Sequence, residues 1–311
     1  MPPAHQVPFL FPGGARLGKD NVLLHARARR HQVENYAGPL SIKTVVAGQV
    51  SWIIARRELV VDPSSFLIVS AGEKYSMNIA ASSPVETCCA FFAPGFVERT
   101  VLDATSPLAQ SLDDPERAAP ASPYLSGAHT DAERSLVGRV QSLVARCNKS
   151  LAPSAWEEDF LLLALDLQRF HQRVHEQAAR IPAARNSTRQ ELFRRLLVGR
   201  EYMHSHSSGP VSLTSASRAA CLSPFHFHRG FTKAFEQTPH AYLTGLRMAQ
   251  ARRMLEAGSL VLDACLDSGF TSPSAFTRLF QSRYGERPSE VRGKFARSGK
   301  RSGGDSATVN A

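Results

Sequence analysis

Ser223-Pro224-Phe225-His226-Phe227-His228-Arg229-Gly230-Phe231 returns, at an offset of 49 residues, as Ser272-Pro273-Ser274-Ala275-Phe276-Thr277-Arg278-Leu279-Phe280. Ser, Pro, Phe, Arg and Phe recur at equivalent places, and Pro239 and Pro288 extend the register. Such self-similarity predicts two copies of one supersecondary unit. Each copy reads as helix, tight turn, helix, over about 213–235 and 261–284. In the second, Val261 to Ser268 is a short helix that Gly269 ends by supplying a positive φ, with Phe270 entering the core. Ser272 then suits an N-cap and Pro273 the first helical position. Phe276, Leu279, Phe280 and Tyr284 are expected inward, leaving Ser274, Ala275, Thr277 and Arg278 outward. In the first copy, Leu213 to Ala220 precedes the turn. Pro224 to Phe235 then buries Phe227, Phe231 and Phe235 and exposes Phe225, His226, His228 and Arg229.

A short helix, a turn and a second helix with a polar outer face is the geometry that lays a helix in the DNA major groove. There Arg takes guanine bidentately, and Thr or Ser meets bases or phosphates. The competing reading is an ordinary αα-hairpin repeat of a helical bundle. Between the copies, Thr238-Pro239 opens a helix that runs to Ala257 and closes at Gly258. Its main apolar positions are Tyr242, Leu243, Leu246, Ala249, Met254 and Leu255. Its length, roughly 28 Å at the usual helical rise, is near the roughly 34 Å repeat of B-DNA. One strut could therefore set two reading heads in successive grooves.

Charge favours the nucleic-acid reading over the bundle. The 311-residue chain carries a formal net charge of +10. Residues 181–311 hold 19 Lys and Arg against 9 Asp and Glu, whereas residues 1–180 are balanced at 18 of each. A neutral module joined to a basic one suggests contact with a polyanion. Composition is otherwise ordinary for a globular protein, with 43% hydrophobic and 21% charged residues. No apolar run approaches the roughly 20 residues of a membrane helix. Five cysteines (Cys88, Cys89, Cys147, Cys221, Cys265) follow no framework spacing. Free thiols and the lack of a signal-peptide pattern predict a cytoplasmic protein.

Upstream, residues 1–40 carry no clear pattern. From Ser41 to Phe92, short β-type runs alternate with turn residues: Ser41–Val46, Val50–Ala55, Glu58–Val61, Phe66–Ser70, Tyr75–Ala80 and, after Ser82-Ser83-Pro84, Val85–Phe92. This rhythm predicts a small β-barrel or sandwich. Residues 103–130 read as a loop. Two helices follow, Asp131–Cys147 and one opened by Ser154 and Glu157 at capping-box spacing. The second carries Phe160, Leu163, Ala164, Leu167, Phe170 and Val174 on one stripe, with Leu161, Leu162 and Leu165 widening its apolar face. Such a helix is expected to bury more than one side, against the barrel or in a homodimer seam. Ile181-Pro182-Ala183-Ala184 looks like a hinge. The next helix is expected from Ser187, with Gln190 at capping-box spacing and Leu192, Phe193, Leu196, Leu197 and Met203 on one side. Residues beyond about 296 read as a disordered basic tail.

The basic half resembles the AraC/XylS family of bacterial transcription regulators over about Leu197 to Arg292. The likeness rests on Cys221 to Arg229, Gln237-Thr238-Pro239, Tyr242-Leu243, Leu246-Arg247, Ala251 to Leu255, Gly269-Phe270 and Pro288. In that family the outward residues of both recognition helices read double-stranded DNA. Carried over, these are Phe225, His226, His228, Arg229, Ser274, Ala275, Thr277 and Arg278. The sequence departs from the family's pattern at Gly230, where an apolar residue normally packs. It departs also at Cys221 and Glu236, which stand where Gly is common, and at Ser217 in place of a small Ala. The N-terminal half resembles the family's cupin-type sensor barrel, through its strand rhythm and Gly38-Pro39-Leu40, Asp62-Pro63 and Ala71-Gly72.

The resulting expectation is an α+β chain. Residues 1–180 form a cupin-like sensor barrel with two following helices, and 181–194 a linker with the start of the first helix of the next domain. Residues 195–296 form an all-α double helix-turn-helix domain, and 297–311 the tail. Trp52, Tyr75 and Phe91 are candidates to line an effector cavity. The resemblance further implies a small-molecule effector, RNA polymerase and a second copy of the chain as partners. Metal-binding cupins use three histidines and an acid, and here no His lies between His31 and His129. No metal, cofactor or catalytic residue is therefore expected. Cys88-Cys89, the His204/His206 pair and the His226/His228 pair read as packing, helix-end and DNA-facing residues. The rival function is a cupin enzyme with an appended DNA-binding module.

Overall fold

The computed structural model describes residues 9–11, 13–105, 127–130, 135–147, 153–183 and 185–293. They divide between Ala178 and Ala179 into two units. The first is built on β1 (Phe9–Phe11), β2 (Val22–Ala37), β3 (Ser41–Ala47), β4 (Val50–Ile54), β5 (Arg57–Val61), β6 (Ser65–Val69), β7 (Lys74–Phe91) and β8 (Gly127–Thr130). All pair antiparallel in one sheet of order β1-β2-β7-β3-β6-β8, with β4 and β5 added along the other half of β7. β5 approaches β8, so the sheet curls into a nearly closed, cupin-like barrel.

Period-two alternation decides which side chains enter that barrel. On β3, Ile42 joins a cluster under the following helices, while Val45 joins one inside the barrel with Trp52, Tyr75 and Ile79. The helices are α1 (Phe96–Thr105), α2 (Ser135–Cys147) and α3 (Pro153–Ala179). α2 buries Leu136, Val140 and Leu143, and α3 buries Phe160, Leu163, Ala164 and Leu167, against Ile42, Phe66, Ile68 and Ala90. Asp166 of α3 is gripped by Arg139 of α2 and by Arg169. Within this chain α3 buries one stripe, and Leu161 and Leu162 beside it stay 41% and 37% exposed.

Three expectations are corrected here. Tyr75–Ala80 and Val85–Phe92 are one strand. Ala28 pairs Val85 and Arg30 pairs Ala80, so residues 81–84 bulge opposite Arg29. A bulge frees residues from the ladder, which lets Pro84 sit there without an N–H. Residues 103–130 are not a loop throughout: Asp103 to Thr105 end α1, and Gly127–Thr130 pairs with β6. Residues 106–126 lie outside the described residues, as does the tail beyond 293.

The second unit comprises α4 (Asn186–Ser205), α5 (Leu213–Ala219), α6 (Pro224–Phe235), α7 (Pro239–Glu256), α8 (Val261–Asp267) and α9 (Pro273–Tyr284). The third correction falls on α4. It starts at Asn186 behind Arg185, whose side chain makes no cap bond. Instead Arg189 reaches back to the carbonyl oxygens of Ile181 (3.2 Å) and Ala183 (3.0 Å), tying the chain entry to the first turn.

Candidate nucleic-acid interface and barrel cavity

Each half of the second unit is a short helix, a left-handed turn residue and a longer helix. After α5 the Leu222 N–H donates to the Ser217 carbonyl at 2.9 Å, and after α8 the Phe270 N–H donates to the Cys265 carbonyl at 3.1 Å. These bonds close the same helix-terminating turn. The residue that must turn left-handed is Cys221 (φ 51°) in the first half and Gly269 (φ 86°) in the second. The first turn then reaches its cap, Ser223, one residue sooner than the second reaches Ser272. α5 opens on a reciprocal cap: Ser212 Oγ accepts from the Ser215 N–H, and Ser215 Oγ accepts from the Ser212 N–H, both at 3.0 Å.

The longer helices bury matching aromatic ladders. Phe227, Phe231 and Phe235 on α6 stand with ring centroids 5.4 and 4.6 Å apart; Phe276, Phe280 and Tyr284 on α9 stand 5.6 and 4.7 Å apart. These i, i+4 stripes hold each helix by one face. Leu279, expected inward, is 46% exposed instead, because it falls to the side of the Phe276–Phe280 line. Gly230 is buried, and a Cβ there would stand 3.2 Å from Leu196. A Cβ on Gly199 of α4 would meet the Phe227 ring at 2.3 Å. Glycine at both positions therefore lets α4 and α6 pack closely.

The opposite faces carry the residues singled out for DNA contact. On α6, Phe225 (68% exposed), His226, His228 and Arg229 are all exposed. Ser223 Oγ lies 2.8 Å from His226 Nδ1, which fixes that ring at the cap. On α9, Ser274 and Arg278 are exposed and Ala275 and Thr277 half-buried. Thr277 Oγ1 donates to the Pro273 carbonyl at 2.9 Å, leaving its lone pairs outward. Among the described residues neither Arg229 nor Arg278 has a hydrogen-bond or ion-pair partner. Both guanidiniums are free to take a base edge or phosphate.

α7 is bound to both halves. Arg247 Nε donates to the Ser207 carbonyl at 2.8 Å and its Nη2 to that of Gly209 at 2.7 Å. Gln250 Nε2 reaches Ser208 Oγ at 3.0 Å and the Asp267 carbonyl of α8 at 3.3 Å. A Cβ on Gly269 would strike Arg247 Nε at 2.9 Å and the Ser207 oxygen at 3.1 Å. Arg247, part of a motif noted in the sequence, thus acts as a clamp inside the domain. Met248, which the sequence reading passed over, is buried at the centre of α7 with Ala251 and Leu255.

Residues 216–294 match the helix-turn-helix domain family. The chain carries a helix-turn-helix domain of the AraC/XylS type. An HTH-type transcriptional regulator of Bacillus subtilis, the uncharacterized YbfI, is 23% identical over 218 residues, covering 70% of this chain and 71% of its own. The HTH-type transcriptional regulator CdhR of Pseudomonas aeruginosa is 31% identical over 91 residues, 29% of this chain and 27% of its own. Among solved structures, a probable AraC family transcriptional regulator from Rhodopseudomonas palustris is 22% identical. It covers 33% of this chain and 97% of its own, with a TM-score of 0.31. The AraC-type domain accounts for the duplicated halves and the basic charge, and makes the chain a DNA-binding regulator.

The barrel that precedes the AraC-type domain holds a cavity of about 1080 Å³, open to solvent on one side, a size that suits a small molecule. Trp52, Tyr75 and Phe91, the three residues singled out for an effector, all line it. Sequence reading missed the fourth notable wall residue, Lys43, which is 1% exposed. Its Nζ donates to Tyr75 Oη at 3.1 Å and lies 4.2 and 4.3 Å from the ring centres of Tyr75 and Phe91. Burial lowers the Lys43 pKa to about 8 and pushes the neighbouring Tyr75 and Cys89 upward. Among the described residues no three His, Cys, Asp or Glu side chains come together as metal ligands.

Proposed function

We propose that the protein is a sequence-specific transcription regulator that reads DNA through α6 and α9 and responds to a small molecule held in its barrel. The observation that carries the first part is the pair of capped helices whose outward faces present unpartnered arginines, Arg229 and Arg278. His226, His228, Ser274 and Thr277 are assigned to base-edge or phosphate contact beside them, with Phe225 and Ala275 making apolar contacts such as those with thymine methyls. Other Lys and Arg side chains of the domain neutralise phosphates and make affinity salt-dependent. The second part rests on the cavity lined by Trp52, Tyr75 and Phe91. An effector there acts only through different affinity for two states of the protein. The exposed Leu161 and Leu162 of α3 suit a homodimer contact. RNA polymerase is a further partner, and the cytoplasm is the compartment where such a regulator meets DNA.

The test is selection of bound fragments from sheared genomic DNA, followed by titration of the recovered site against scrambled duplex. The expected result is a recovered motif bound on the order of 10³-fold or more tightly than scrambled DNA at physiological salt. Equal affinity for both would instead mark a packaging protein.

A further inference from the structure

We propose that the barrel cavity takes an organic carboxylate with an apolar body, its anionic group seated on the Lys43 ammonium between Tyr75 and Phe91. This rests on the reading of the barrel as an effector site and names the chemical class of that effector. β3 runs between β6 and β7, so it has no exposed edge. Its outer face is covered by α2 and α3, so Ile42 is as buried as Lys43. Lys43 therefore cannot snorkel to solvent, and its charge must be met inside the cavity.

The protein meets that charge only in part. An ammonium has three protons to donate, and Tyr75 Oη takes one. The faces of Tyr75 and Phe91 add cation–π attraction. Among the described residues no carboxylate pairs with Lys43, and no Asp or Glu lines the cavity. The other charged wall residues are positive and solvent-exposed: Arg27, Arg29 and Arg30 on β2. Tyr75 and Cys89 stay neutral, since burial raises both. A buried cation with incomplete partners is costly to a folded protein, and an anionic ligand relieves that cost. At neutral pH the amine is still protonated, its pKa being about 8.

The remaining walls select the rest of the ligand. Trp52, Met77, Ile79 and Phe91 offer apolar and aromatic surface, so a hydrocarbon chain or ring gains by burial. A polyol would leave hydroxyls without partners against the same walls. An inorganic anion would satisfy Lys43 but leave most of the cavity unfilled.

The experiment uses the full chain and a panel of straight-chain and phenyl-substituted carboxylates, octanoate and 4-phenylbutyrate among them, each beside its neutral amide. Binding is read by Trp fluorescence and by the shift in melting temperature. At least one carboxylate is expected to bind about tenfold or more tightly than its amide and to raise the melting temperature as mass action requires. Lys43→Met should lose that preference while melting no lower than the parent without ligand, because it removes a costly buried charge. Lys43→Gln, which keeps a donor for Tyr75, should lose it as well. Amides binding as well as carboxylates, or Lys43→Met keeping the preference, would overturn the proposal while leaving the effector reading intact. Absence of binding across the panel would overturn it too. Stabilisation of the parent protein by a neutral metabolite fraction would then show that the effector reading survives on its own.

Discussion

Cys221 and Glu236 are non-glycine residues held left-handed, at φ 51° and 55°, where their counterparts in the second half are Gly269 and Gly285. The left-handed conformation costs an L-residue about 1–2 kcal/mol, and glycine gives part of that back through its freer unfolded chain. Cys221→Gly should therefore raise unfolding stability by about 0.5–1 kcal/mol, seen as a higher urea midpoint with unchanged slope. A lower midpoint would mean that the Cys221 side chain contributes more than its backbone costs. Glu236→Gly should gain less, because Glu236 also accepts from Arg180 at 2.8 Å. At the DNA face, Arg278→Ala should cost about 1–3 kcal/mol on the selected site and relax preference at one base position. An equal loss on every sequence would reassign Arg278 to a phosphate. Lys43 supplies the pH signature. Its folded pKa, about 8, lies below the ordinary 10.5, so between those values the unfolded chain holds a proton that the folded chain does not. Unfolding stability should thus rise with pH across that window, by an order of about 3 kcal/mol, relative to Lys43→Met measured in parallel. Parallel profiles for the two proteins would show that Lys43 is not desolvated in solution.

At the level of elements, what could be read in advance depended on whether a stretch meets one environment or two. α6 and α9 have one buried and one wet face, so their aromatic ladders and polar outer residues are visible as a repeat. β3 is covered on both sides, so Ser41-Ile42-Lys43-Thr44 shows no alternation that would single out Lys43 as an interior residue. β2 carries the exposed Arg27, Arg29, Arg30 and His31 along the cavity wall, and such polarity hides a strand from any hydrophobic pattern. Ser82-Ser83-Pro84 has true turn chemistry, but pairing with β2 on either side absorbs it as a bulge. The α8–α9 turn, by contrast, is set by one residue type. Gly269→Ala must bring both a left-handed Cβ and a clash with Arg247 Nε, at a cost of about 2–4 kcal/mol. Arg247→Ala should loosen α7 from the Ser207 to Gly209 turn and soften that clash, so the double variant should lose less than the sum of the two. Simple additivity in urea denaturation would show that the two residues do not share this contact.

For the whole molecule, function is divided as charge is: the basic unit meets the polyanion, and the neutral unit holds the cavity. The central claim is that α6 and α9 are matched grips on one duplex, held together by α7, whose 18 residues span about 27 Å. Hydroxyl-radical footprinting combined with guanine methylation interference on the genome-selected site tests it most directly. The account predicts two protected segments on one face of the DNA, centred about one helical turn apart, with Arg229→Ala and Arg278→Ala each removing guanine interference from a different segment. A single segment insensitive to one of the two substitutions, or protection spread evenly along any DNA, would contradict it.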